Sequence, residues 1–144
     1  MDLTHDNLPG SQTTTRLIAA TGAVAMVGGA GLVTYFDPSA EHFFPVCPLY
    51  ALTGFACPGC GLTRGFHALF HGDILTALHF NALIPIWTVI FGFTFISLVL
   101  FAARGRGLSL NKISANWLWV FMGLLLVFGV LRNLPMYPFS LLFP

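Results

Sequence analysis

Three long apolar stretches, Leu17 to Phe36, Ala82 to Ala103 and Trp117 to Leu134, account for much of this 144-residue chain. A hydrocarbon core of about 30 Å is crossed by roughly 20 helical residues, so each stretch is long enough to be a span. Lipid offers no water to satisfy backbone amides, and a span must therefore make its own hydrogen bonds as an α-helix. A chain with 56% hydrophobic and 8% charged residues matches a bilayer solvent better than water. The expected fold is an all-α membrane protein with three transmembrane helices, at about 17–36, 82–103 and 117–134, and a cysteine-containing link at 37–81. Residues 16–144 form one helical membrane domain, and the polar residues 1–15, rich in Thr, Asp and Asn, are expected to be a disordered tail.

The first stretch is longer than the core of a secretory signal, and Pro38 stands where cleavage near Ala40 would need a small residue. It is read as a retained helix. Arg104, Arg106 and Lys112 lie between the second and third stretches, and Arg16 precedes the first, so these segments are expected to face the cytoplasm. The long link holds Arg64 as its one basic residue, beside Asp37, Glu41 and Asp73, and is expected on the outer side with the carboxyl terminus. With so few charges, a formal net charge of +1 says nothing about nucleic acid or an acidic partner, and no basic patch is present to bind either, so no nucleic-acid partner is expected. The expected partners are the lipid bilayer and either a second membrane protein or further copies of this chain. Gly22, Gly28, Gly29 and Gly31 in the first stretch allow close helix contact of that kind.

All three cysteines, Cys47, Cys57 and Cys60, fall in the link. Its first part, Phe43 to Phe55, is apolar but broken by Pro45, Pro48 and Gly54. From Gly61 a helical period sets in. Leu62, Phe66, Leu69 and Phe70 share one face, Thr63, Arg64, His67 and His71 the other, and this predicts an amphipathic helix at the membrane interface. Gly72-Asp73 then predicts a break and a capped turn into Ile74 to Phe80.

Cys57-Pro58-Gly59-Cys60 supports three chemistries. A reversible redox pair is allowed by the spacing, although the βαβ context of thioredoxin-type sites is missing. A zinc-like metal could use Cys57 and Cys60 joined by Cys47, or by His67 and His71, which are four apart and share a helical face. The leading expectation is structural: two cysteines bridged, Cys47 with Cys57 or Cys60, to restrain the proline-rich link, the third packed as a small hydrophobe. No cofactor is required by that reading. The histidines read as polar surface, and with Asp73 the one carboxylate near them, no nucleophile and base can be matched into a catalytic site. Arg132 ends the third stretch, and a polar cluster of Thr63, Arg64, Asp73, Asn81, Arg132 and Asn133 is expected over the outer helix ends, with Asp73 as counter-charge.

The run from Cys47 to Asn81 resembles an uncharacterised family of small bacterial membrane proteins, a domain of unknown function marked by Cys-Pro, C-P-x-C-G-x-T-R, G-D and a following Asn. Matching positions are Cys47, Pro48, Thr53, Gly54, Cys57, Pro58, Cys60, Gly61, Thr63, Arg64, Gly72, Asp73 and Asn81, with Arg132, Asn133 and Pro135 further on. The family usually has Asn-Pro where this chain has Asn81-Ala82. The resemblance implies a bacterial inner-membrane location and a shared site on the three cysteines, Arg64, Asp73 and Arg132, but brings no activity with it. The function expected overall is that of a non-catalytic accessory or assembly protein with a cysteine-stabilised outer link. A thiol-redox protein using Cys57 and Cys60, and a metal-binding component using all three cysteines, are the alternatives.

Overall fold

The computed structural model describes residues 9–40, 44, 47–108, 114–137 and 142. Among them the regular structure is entirely helical: α1 (Pro9–Tyr35), α2 (Pro48–Thr53), α3 (Leu62–Phe70), α4 (Ile74–Phe80), α5 (Ile84–Arg104) and α6 (Ala115–Leu131). Helix α1 starts at Pro9, a residue at home in a first turn where its missing amide is not needed. It thus takes in residues 9–15 of the stretch expected as a tail, while residues 1–8 lie outside the described residues.

Two helices are long and apolar enough to cross a membrane, Gln12–Tyr35 and Ile84–Arg104, and almost nothing of either is buried against protein. At 1.5 Å per residue, the 21 residues of α5 rise about 31 Å. The third expected span is corrected: α6 has 17 residues and rises only about 26 Å. It is short because both ends are fixed by polar groups. Ser114 accepts from the Asn116 amide at 3.1 Å and sets its start. At the other end Arg132 turns inward, where its side chain is fully buried instead of reaching outward to water.

The chain divides into two compact units, Met1–Gly31 with Trp87–Leu110, and Leu32–Ile86 with Asn111–Pro144. In the first, Arg16 donates to the Ala103 carbonyl, so the start of α1 lies by the end of α5. Gly22 of α1 meets Leu98, whereas Gly28, Gly29 and Gly31 face open space.

The second unit holds the cysteines. Here α3 and α4 form a hairpin around Ala68, Ala77 and Ile84, flanked by Leu62, Phe66 and Leu69. The break between them falls at Gly72-Asp73, and Asp73 caps α4 by accepting from the Thr76 amide at 3.0 Å. Hydrogen bonding by Thr76, through its side chain first and its amide second, lowers the Asp73 carboxyl pKa. The cap therefore contributes stability above the ordinary carboxylate range and loses it as pH falls through the depressed value. The apolar face of α3, expected to meet the membrane interface, packs on Ala77 and Ile84 through Leu62, Phe66 and Leu69, and leaves Phe70 exposed.

Gly65 makes that hairpin possible. A Cβ placed there would lie 2.7 Å from Ile84 Cδ1 and 3.2 Å from the Ala77 carbonyl oxygen. Replacing Gly65 by Leu should therefore destabilise the protein by about 1–3 kcal/mol through overpacking. The same change at Gly28, where nothing lies within 4 Å, should leave the thermal midpoint in detergent nearly unmoved. Equal midpoints for the two variants would mean that the α3–α4 packing does not matter.

Candidate metal centre

The cysteine segment is built from two turns. Cys47 immediately precedes α2, with Pro48 in the first turn and the Cys47 carbonyl accepting from Ala51 at 3.0 Å. Cys57 and Cys60 close a tight turn, the Cys60 amide donating to the Cys57 carbonyl at 3.0 Å. Gly61 follows with φ of 77°, a left-handed conformation that glycine adopts without steric cost, and redirects the chain into α3.

These turns bring the three sulfurs together. Cys57 Sγ lies 3.3 Å from both Cys47 Sγ and Cys60 Sγ, and all three fall within 4.8 Å of one another. The thiols are free. This replaces the expected Cys47 bridge to Cys57 or Cys60. Cys57 stands equally close to both neighbours, so the geometry gathers three sulfurs without selecting a pair. Cys60 is buried, whereas Cys47 and Cys57 are half-buried. The cluster therefore has one open side.

The environment separates the three thiols electrostatically. The Cys47 pKa falls to about 7, chiefly through the Tyr50 backbone amide and then the Cys57 thiol. The Tyr50 amide acts without a formal capping hydrogen bond. Burial pushes Cys60 up to about 12, and the Cys57 thiol adds to the rise. The Cys60 sulfur nevertheless accepts from the Cys57 amide at 3.2 Å, which fixes its position in the turn.

Three polar side chains hold this loop, all reaching it from outside the cysteine motif. Asn81, fully buried, donates to the Pro58 carbonyl at 2.9 Å and the Cys60 carbonyl at 3.1 Å, and its Oδ1 accepts from the Leu83 amide at 2.9 Å. Asn133 pairs with both backbone groups of Ala56, accepting from its amide and donating to its carbonyl at 2.8 Å each. Arg132, also fully buried, donates through Nη1 to the Cys57 carbonyl at 2.9 Å and the Cys60 carbonyl at 3.1 Å. It donates further to the Phe80 carbonyl through Nη2 at 3.5 Å and to the Leu142 carbonyl through Nε at 3.2 Å. Its guanidinium stands 5.1 Å from the Phe128 ring centroid.

The expected polar cluster thus divides. Asn81, Arg132 and Asn133 meet on the cysteine loop. Thr63 and Arg64 are exposed on α3, and Asp73 is taken up by the α4 cap. Arg64 is an electrostatic neighbour of Asp37, whose carboxyl pKa is lowered mainly by the Ser39 amide. The two histidines also serve locally: His67 Nδ1 is 2.7 Å from the Val33 carbonyl oxygen and His71 Nδ1 is 2.8 Å from that of His67. Among the described residues, the group close enough to hold a metal is Cys47, Cys57 and Cys60 without a histidine.

Two contributors escape sequence reasoning. Gly129 lets α6 approach the loop, since a Cβ there would lie 3.1 Å from Pro58 Cγ. Its only signal is a glycine inside a short apolar helix, where it costs about 1 kcal/mol relative to alanine. An apolar groove of about 430 Å³ lies beside Cys57, lined by Leu49, Phe55, Leu126, Gly129 and Val130 among others.

This segment coincides with a recognised sequence family. Residues 47–95 match the family model of DUF2752, a protein of unknown function. The DUF2752 match takes in all three cysteines and Asn81, while Arg132 and Asn133 lie beyond it. No curated protein and no solved structure matches the chain.

Asn81→Ala strips the Leu83 amide and the Pro58 carbonyl of their partners, at about 1–3 kcal/mol for each buried group left unsatisfied. A markedly lowered thermal midpoint with increased alkylation of Cys60 is expected. Cys60 that stays protected in this variant would show that Asn81 does not hold the loop.

Thiol reactivity should follow the same electrostatics. In the metal-free protein, the Cys47 thiolate fraction rises as pH passes through about 7, and Cys60 stays protonated until about 12. Iodoacetamide at pH 7.5 followed by peptide mapping should thus label Cys47 well before Cys60. Equal labelling would contradict the assigned environments.

Proposed function

We propose that this chain is an integral protein of a bacterial plasma membrane whose cysteine loop binds one soft divalent metal ion through Cys47, Cys57 and Cys60. The observation that carries the reading is the convergence of the three sulfurs within 4.8 Å. Thiolate sulfurs about 2.3 Å from a tetrahedral zinc ion stand about 3.8 Å apart, so the two 3.3 Å separations need open by only some tenths of an ångström. Sulfur ligands favour zinc, copper(I) and related soft ions over magnesium or calcium.

Three ligands leave a tetrahedral ion with a fourth position, here on the half-exposed side of Cys47 and Cys57. That position suits a ligand from outside the loop, and so suits an accessory or assembly protein that presents or shares a metal. A membrane setting is supported by the two long apolar helices. Exposed Tyr35 at the end of α1 and exposed Trp117 and Trp119 at the start of α6 supply the aromatic residues that favour a lipid–water boundary. The contact of Arg16 with the Ala103 carbonyl groups basic Arg16 and Arg104 at one membrane face, the cytoplasmic one by charge. Arg104, Arg106 and Lys112 follow α5, whereas the cysteine link carries Arg64 as its one basic residue, and this charge asymmetry favours the outer face for the cysteine loop.

Elemental analysis of protein purified in detergent without chelator should find about one zinc-like ion per chain, and alkylation of that sample should spare all three cysteines. Removing the metal with a strong chelator should expose them. Cys57→Ser, which removes the central sulfur, should abolish retention of the ion. A metal-free preparation that takes up no added Cd²⁺ and forms a reversible disulfide would overturn the metal reading in favour of thiol redox chemistry.

A further inference from the structure

Arg132 poses a problem that hydrogen bonding alone leaves unsolved. The guanidinium is fully buried, and the partners of its nitrogens are backbone carbonyls: Cys57, Cys60, Phe80 and Leu142. Carbonyl dipoles and the Phe128 face offset part of the desolvation, but a buried charge ordinarily also finds an opposite charge. Asp73 caps α4 and Asp37 binds the Ser39 amide, so neither described carboxylate serves.

Holding the loop does not require a cation. Asn81 donates to the same Cys60 carbonyl, and Asn133 ties Ala56, both as neutral amides that carry no charge into the interior. What Arg132 adds is a permanent positive charge beside the backbone of Cys57 and Cys60. The electrostatic neighbours of the guanidinium are Cys60 and Cys57.

We infer that Arg132 is the counter-charge of an anionic metal–trithiolate centre: a divalent ion on Cys47, Cys57 and Cys60 carries one net negative charge, which the buried guanidinium neutralises. The inference rests on the metal reading above and extends it to the charge of the ion. Three thiolates contribute three negative charges and a divalent ion two positive ones, so with Arg132 the buried assembly is electroneutral. A monovalent ion would leave one negative charge uncompensated and a trivalent ion one positive charge. The site is therefore built for a soft divalent cation.

The test is Cd²⁺ binding to the detergent-purified full chain, followed by thiolate-to-cadmium absorption, in the wild type and in Arg132→Lys and Arg132→Gln. Two unit charges some 6 Å apart at an effective dielectric constant near 20 predict that Arg132→Gln binds Cd²⁺ about 100-fold more weakly. Arg132→Lys keeps the charge while losing the forked donors, and should stay within about tenfold of wild type. Alkylation of Cys60 without metal checks that the loop is still closed. A second variant, Asn81→Asp, sets a carboxylate beside the shared Cys60 carbonyl; because it also removes the donors that hold the loop, it is compared with Asn81→Ala, which loses the same donors without adding a charge, and should bind Cd²⁺ more weakly than that variant.

Wild-type protein that binds no Cd²⁺ would remove the metal reading and this inference together. Wild-type binding that persists unchanged in Arg132→Gln would overturn the inference alone. Equal losses in Arg132→Lys and Arg132→Gln would make Arg132 a strut rather than a counter-charge. Should Arg132→Gln fail to fold, the Asn81 pair decides: equal Cd²⁺ affinity in Asn81→Asp and Asn81→Ala overturns the assignment.

Discussion

The burial of one arginine against main-chain carbonyls is the interaction on which the second unit depends. Arg132 stands at the end of α6 and bonds to the cysteine turn, to the end of α4 and to Leu142, joining segments that are far apart in sequence. A lysine, with its compact ammonium on a flexible stem, lacks the planar fork that addresses several acceptors in fixed directions. The asparagines on either side complete the arrangement. Asn81 satisfies the corner where α4 gives way to α5, and Asn133 copies the pairing of a neighbouring strand by meeting both backbone groups of Ala56. Irregular backbone among apolar helices is tolerable when its polar groups are met in this way.

Around that polar knot the remaining design is plain. Helix α1 from Leu17 onward and helix α5 are apolar and expose Leu17, Ile18, Val24, Val89 and Val99, a surface that water would penalise and lipid would not. The second unit uses small residues where chains meet: Gly65 against Ile84, Ala77 fully buried in the hairpin, and Gly129 against Pro58. The close approach at Gly129 sets the tip of the loop on α6, and Arg132 follows one helical turn later.

Much of this is legible in the residues. The period from Leu62 onward and the Gly72-Asp73 break give α3, α4 and the cap between them, because those signals are local. The end of α6 is less so: the expected span runs to Leu134 across Arg132 and Asn133, but Arg132 is drawn inward and the helix stops at Leu131. The counter-charge reasoning that links Arg132 with Asp73 fails for a related reason. Charge pairing considers ionised side chains, whereas the acceptors here are carbonyls, which every residue carries and no sequence pattern marks. The three cysteines are visible at once, but whether they meet as a pair or a triad depends on the distance folded between Cys47 and the Cys57–Cys60 turn. That distance is set by α2, a helix of six residues.

The sequence separations within the knot also impose an order in time. Cys57 and its carbonyl partner Arg132 lie 75 positions apart, and Ala56 and Asn133 lie 77 apart. Synthesis from the amino terminus therefore delivers all three thiols, with the hairpin that supports them, well before the groups that clamp their loop. During that interval the cysteines belong to an unfinished pocket, open to oxidants and to stray thiol-binding ions. The cysteine loop is clamped only when the end of α6 arrives, which makes its closure a late event coupled to completion of the chain.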